Sequence, residues 1–112
     1  MNLTTEARPG ALIVRVPEAR IDAAVAIQFK DAMRAVTEGA PGRVFLDLHR
    51  VDFVDSSGLG AIVAAMKQLG PERRLDLVAL TPNVDKVFRL TRMDTIFAIH
   101  DDLDAALAGQ DD

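Results

Sequence analysis

A chain of 112 residues is the size of one domain, and with 49% apolar residues it can build a core of its own. A net charge of −4 leaves no basic footprint for nucleic acid and no polybasic face for a membrane. The absence of cysteine removes disulfides and thiolate metal sites, two histidines are too few for most metal centres, and five Phe without Trp or Tyr give no platform for stacking bases.

No charged-then-apolar leader opens the chain and no apolar run reaches the length of a membrane span, so a cytoplasmic protein is expected. "ALIVRV" (11–16) follows the turn signal Pro9-Gly10 and is β-branched, which predicts a strand with "LTTEA" as its hairpin partner. Val25, Phe29, Met33 and Val36 recur at helical spacing and predict a helix over 22–38, with Asp22 as N-cap and Gly39 as its stop. "VFLDL" (44–48) reads as a strand buried on both faces. A second helix is predicted over 57–69; it carries one charge, Lys67, and is closed by Gly70-Pro71.

"LDLVAL" (75–80) predicts a third buried strand. Thr81-Pro82 then supplies an N-cap and a first-turn proline for a helix whose inner face is Val84, Val87, Phe88 and Thr91. "IFAI" (96–99) is a short strand, and "DDLDAALA" (101–108) a terminal helix capped by an Asp. The tail from about 109 is polar. Arg20, Arg73 and Arg74 read as solvated surface charges.

Strands that alternate with helices predict an α/β fold: a mixed, largely parallel sheet with an N-terminal hairpin and about four α-helices. Functional groups in such folds gather beyond the carboxyl ends of the strands. "VDFVDSSGLGAI" (51–62) is one of those junctions. A serine there can cap the helix, with the glycines allowing close packing. The stretch has half of a GxGxxG loop, but position 63 is Val and no P-loop lysine follows. The GxSxG elbow of a nucleophilic serine is absent. Asp47, Asp52 and Asp55 suit a phospho-accepting aspartate, but the early acidic pair that would hold Mg²⁺ is missing. A phosphorylated serine is a further reading, and the cap stays open beside it.

"VDSSGLGAI" resembles the Asp-Ser-Ser/Thr-Gly-Leu-Gly signature of STAS domains of the bacterial anti-sigma-factor antagonist type. "RIDAAVAIQFKDAM", "RVFLDLHRVDFVDSSG" and "LTPNVDKVFRLTRMDTIFAIHDDLDAALA" extend the resemblance over nearly the whole chain. It implies a single STAS domain over 1–112. It departs from the family at Ala19-Arg20, where a Gly, often followed by an acid, is usual.

The resemblance implies a partner-switching protein rather than an enzyme, with no cofactor; the sequence does not fix the oligomeric state, and a monomer is the simplest expectation. The unphosphorylated form would bind an anti-sigma factor that is also a serine kinase and so free the sigma factor. Phosphorylation at Ser56 would break that binding, and a PP2C-type serine phosphatase would reset it. Asp22, Asp55, Ser57, Gly58, Leu59 and Gly60 would form the phosphosite's surroundings and the partner contact, with Ser57 at the helix start. A STAS scaffold or ligand-binding module in secretion, motility or transport is the other reading the resemblance leaves open.

Overall fold

The computed structural model describes residues 1–108, so the polar tail expected from about 109 lies outside the described residues. The chain opens with a hairpin of β1 (Thr4–Arg8) and β2 (Ala11–Arg15), paired antiparallel with Thr4 opposite Arg15 and Arg8 opposite Ala11. Gly10 makes the turn with φ of 73°, a left-handed conformation that suits glycine. Next come a two-residue strand β3 (Arg20–Ile21), helix α1 (Ala26–Thr37), and strands β4 (Arg43–Asp47) and β5 (Phe53–Val54). Helix α2 (Ser56–Leu69), strand β6 (Arg74–Val78), helix α3 (Pro82–Leu90), a 3₁₀ turn (Met93–Thr95), strand β7 (Ile99–His100) and helix α4 (Leu103–Ala108) complete it.

The main sheet has the order β1-β2-β4-β6-β7, and every pairing after the hairpin is parallel. The expected α/β architecture with a mostly parallel sheet and four helices is therefore present. β4 is central, and all but its first residue are buried, as the continuous apolar run required.

Side chains alternate across the sheet. Val14, Val44, Leu46, Leu75 and Leu77 point to one side, where Phe29 and Met33 of α1, Ala61, Ile62 and Leu69 of α2, and Val84 and Phe88 of α3 close the core. Ala11, Ile13, Phe45 and Val78 point to the other, which α4 covers with Ala106. That second side also buries two acids. Asp76 is held by Arg43 at 2.9 Å, His100 at 3.0 Å and Arg74 at 3.2 Å. Asp47 meets His49 at 2.7 Å and Arg15 at 3.5 Å. On the edge strand β1, Arg8 and then Arg15 hold the Glu6 carboxyl below the usual carboxylate range.

Several boundaries differ from expectation. α1 begins at Ala26 rather than 22, because residues 22–25 form a turn around Asp22. β6 stops at Val78, since Ala79 has φ of 60° and leaves the strand conformation. Thr81 does not cap α3 through its side chain; its Oγ1 donates instead to the Val51 carbonyl at 2.7 Å, tying α3 to the segment before β5. Thr91 is exposed and donates to the Val87 carbonyl rather than facing the core. The last strand is Ile99–His100, not 96–99: Phe97 turns into the helix-covered core while Ile96 stays 48% exposed. Arg73 is not simply solvated; it is half-buried and donates to the Leu69 and Thr37 carbonyls.

β3 and β5 form a separate parallel pair, Arg20 with Phe53 and Ile21 with Val54. This small sheet was not expected from the sequence. It carries the loop that precedes α1 to the start of α2, and so assembles the junction at 51–62.

Candidate functional site

β5 runs directly into α2 through Asp55, whose backbone is extended (φ −94°, ψ −175°). Its carboxylate accepts the Gly58 N–H at 2.8 Å, and its carbonyl accepts the first intrahelical bond from Leu59 N at 2.8 Å. Asp55 is thus the N-cap, and α2 starts at Ser56, not at Ser57. Neither serine caps the helix. A carboxylate offers two acceptor oxygens, and here the second is also used: Asp55 Oδ2 accepts from Ala23 N at 3.2 Å. One side chain therefore caps α2 and braces the loop ahead of α1.

Asp22 stands beside that brace. Its Oδ1 accepts the Ala24 N–H at 3.1 Å and its carbonyl accepts from Val25 N, so it closes a turn before α1 rather than capping the helix. The N-cap position of α1 is Val25, which has no capping side chain. Arg20 reaches the other Asp22 oxygen through Nε at 3.3 Å, and its guanidinium lies 4.1 Å from the centre of the Phe53 ring. Both Arg20 and Phe53 are exposed.

Ser56 and Ser57 are exposed, and neither hydroxyl has a hydrogen-bond partner among the described residues. Leu59 is half-buried and packs against the helix-side core. Gly58 and Gly60 differ sharply. Gly58 is buried, and a Cβ placed there would lie 1.9 Å from the Ile21 carbonyl oxygen; a Cβ at Gly60 would meet nothing within 4 Å. The structure therefore brings Asp22, Asp55, Ser56 and Ser57 to one surface, puts Gly58 beneath it, and leaves Gly60 open one turn along α2.

Sequence reasoning missed the Arg20–Phe53 pair, because it depends on a strand pairing between residues 33 positions apart. The signal available was Arg20's place two residues before Asp22, in the one stretch that departs from the family pattern.

The STAS-domain family model matches residues 2–106 of this chain. The chain is 32% identical over 109 residues to BtrV of Bordetella bronchiseptica, a candidate anti-sigma factor antagonist, covering 96% of this chain and 93% of that one. Its fold superposes with a TM-score of 0.86 on the crystal structure of an anti-sigma factor antagonist from Mycobacterium paratuberculosis, at 31% identity and covering 99% and 94% of the two chains. A STAS-domain protein from Planctomyces limnophilus shares the fold with a TM-score of 0.87 at 19% identity, covering 98% of each chain. No helix among the described residues is long and apolar enough to cross a membrane.

Proposed function

The chain belongs to the STAS-domain family of anti-sigma-factor antagonists, and on that premise we propose that it is a phosphorylation-controlled partner switch acting in the cytoplasm. Its unphosphorylated form binds an anti-sigma factor that is also a serine kinase, and thereby releases the sigma factor. The kinase phosphorylates Ser56, and a PP2C-type phosphatase removes the group. The protein works as a monomer and catalyses nothing itself.

One observation carries this reading. Ser56, like Ser57, presents an exposed hydroxyl, free of any hydrogen bond among the described residues, on the first turn of a helix whose cap is an acid, and Ser56 is the one that directly follows that acid, as in the family signature. A phospho-acceptor needs access to a kinase, and Ser56 has it.

The charge arithmetic suits a switch. A phosphoryl group adds about −1.5 to −2 at neutral pH, directly beside Asp55 and near Asp22. Repulsion by Asp55 and Asp22 acts in the free and the bound protein alike. A like unit charge brought by the partner to ~6 Å costs roughly 3 kcal/mol at an effective dielectric near 20. Docking would also have to strip water from the phosphate. About 1.4 kcal/mol is a tenfold change in affinity, so a local charge breaks the complex without refolding either partner.

The test is incubation with the anti-sigma kinase and ATP, followed by mass spectrometry. One phosphate at Ser56 is expected; modification confined to other residues refutes the site. In calorimetry, Ser56→Ala retains the kinase, whereas Ser56→Asp weakens binding by about tenfold or more. Equal affinities would refute the switch.

A further inference from the structure

The acid pair at the phosphosite has a cationic neighbour whose hydrogen-bonding capacity is mostly unused. Arg20 spends Nε on Asp22, while its two Nη groups have no partner among the described residues. The side chain is 60% exposed, yet the guanidinium rests over Phe53, 4.1 Å from the ring centre. A guanidinium placed over a ring with both Nη groups unpaired among the described residues can take an oxyanion, and its fork matches phosphate as it does carboxylate.

Register puts Arg20 on the strand pair that leads into Ser56. β3 and β5 run parallel, with Arg20 level with Phe53 and Ile21 level with Val54. Ile21 and Val54 point into the core, so Arg20, Asp22, Phe53 and Asp55 share the outer side. Asp22 and Asp55 follow one residue on, linked through the Ala23 N–H, and Ser56 comes directly after Asp55. The level of Asp55 is about 7 Å along the strands from that of Arg20, within the span of an extended arginine side chain.

Resting on the assignment of Ser56 as the phosphosite, we propose that Arg20 is a built-in receptor for the phosphoryl group. On phosphorylation the guanidinium turns from Asp22 to the phosphate. A group of charge near −2 outcompetes a single carboxylate for a bidentate fork, and the exchange is local. Arg20 thereby neutralises part of the charge that Asp22 and Asp55 would otherwise repel, and favours the phosphorylated state of the free protein. It is a positioning residue, and it gives a role to the position where this chain departs from the usual acid of the family.

A double-mutant cycle tests this on the full chain, with phosphoserine installed at position 56 by genetic encoding so that no kinase is needed. Urea unfolding is measured for the natural chain and Arg20→Gln, each with and without the phosphate. Phosphorylation should lower the folding equilibrium constant about fivefold more in Arg20→Gln than in the natural chain. That excess should shrink at about 0.5 M NaCl, and Arg20→Lys should show only part of it. The Arg20 Nη proton resonances should shift on phosphorylation in the natural chain. Additive effects with unmoved Nη resonances overturn the proposal. So does additivity combined with a loss of kinase affinity in Arg20→Gln, which would assign the fork to a carboxylate of the partner. A kinase that modifies another residue would refute the proposed function while leaving this cycle readable.

Discussion

The two faces of α2 use the same small residues for opposite purposes. On the inner face Gly58, Ala61, Ile62, Ala65 and Leu69 are buried, at the spacing of a helix stripe pressed on the sheet. On the outer face Ser56, Ser57, Gly60 and Lys67 are exposed. Gly58 is small because the β3 backbone leaves no room, whereas Gly60 has free space around it. Smallness on the inner face is therefore a demand of the fold. On the outer face folding has no use for it, and any demand must come from what docks there.

The largest expected effect breaks the inner side of this comparison. In Gly58→Ala the new methyl would sit 1.9 Å from the Ile21 carbonyl oxygen and 2.7 Å from its carbon. Backbone cannot give way as a flexible side chain does, so α2 must move off β3. A loss of about 3 kcal/mol is expected in urea unfolding, together with loss of kinase binding as Ser56 is displaced. A variant of unchanged stability would show that the close approach is not needed.

Next in size is the cap that joins the two faces. Asp55→Ala removes the acceptor for Gly58 N and for Ala23 N at once, and leaves Ala23 N without its brace. A cost of about 2 kcal/mol is expected, at the upper end for a lost N-cap. Asp55→Asn keeps one acceptor oxygen and should lose less. If the alanine variant is no less stable than the asparagine one, the second hydrogen bond contributes nothing.

The inner face was legible in the sequence, whereas the reading of the outer one rests on resemblance, for physical reasons. β4 and β6 are apolar runs bounded by turns, and Pro9-Gly10 marks the hairpin, so burial alone points to them. β3 and β5 are two residues each, too short for any alternation to register, and their pairing is visible only in three dimensions. Asp55-Ser56-Ser57 offers three capping residues in a row, and propensity does not choose among them. The choice falls on Asp55 because its second oxygen also reaches Ala23. "IFAI" looked like a strand because it is apolar, but its first half closes the turn after α3.

The smallest expected effect tests the outer face, and its sign is what matters. Glycine inside a helix is less favourable than alanine by about 0.8–1.0 kcal/mol, and Gly60 has neither a positive φ nor a neighbour to justify the penalty. Gly60→Ala should therefore stabilise the isolated protein by up to about 1 kcal/mol, opposite in sign to Gly58→Ala two residues away. Gly60 lies four residues from Ser56 and three from Ser57, on the same side of the helix. A kinase that approaches the Ser56 hydroxyl must pass close to that backbone, so the same methyl should weaken kinase binding by about tenfold or more. Stability up with affinity down would locate the partner's closest approach at Gly60. Stability up with affinity unchanged would place the docking surface elsewhere on the rim of Ser56, and would leave this glycine without a role in either the fold or the complex.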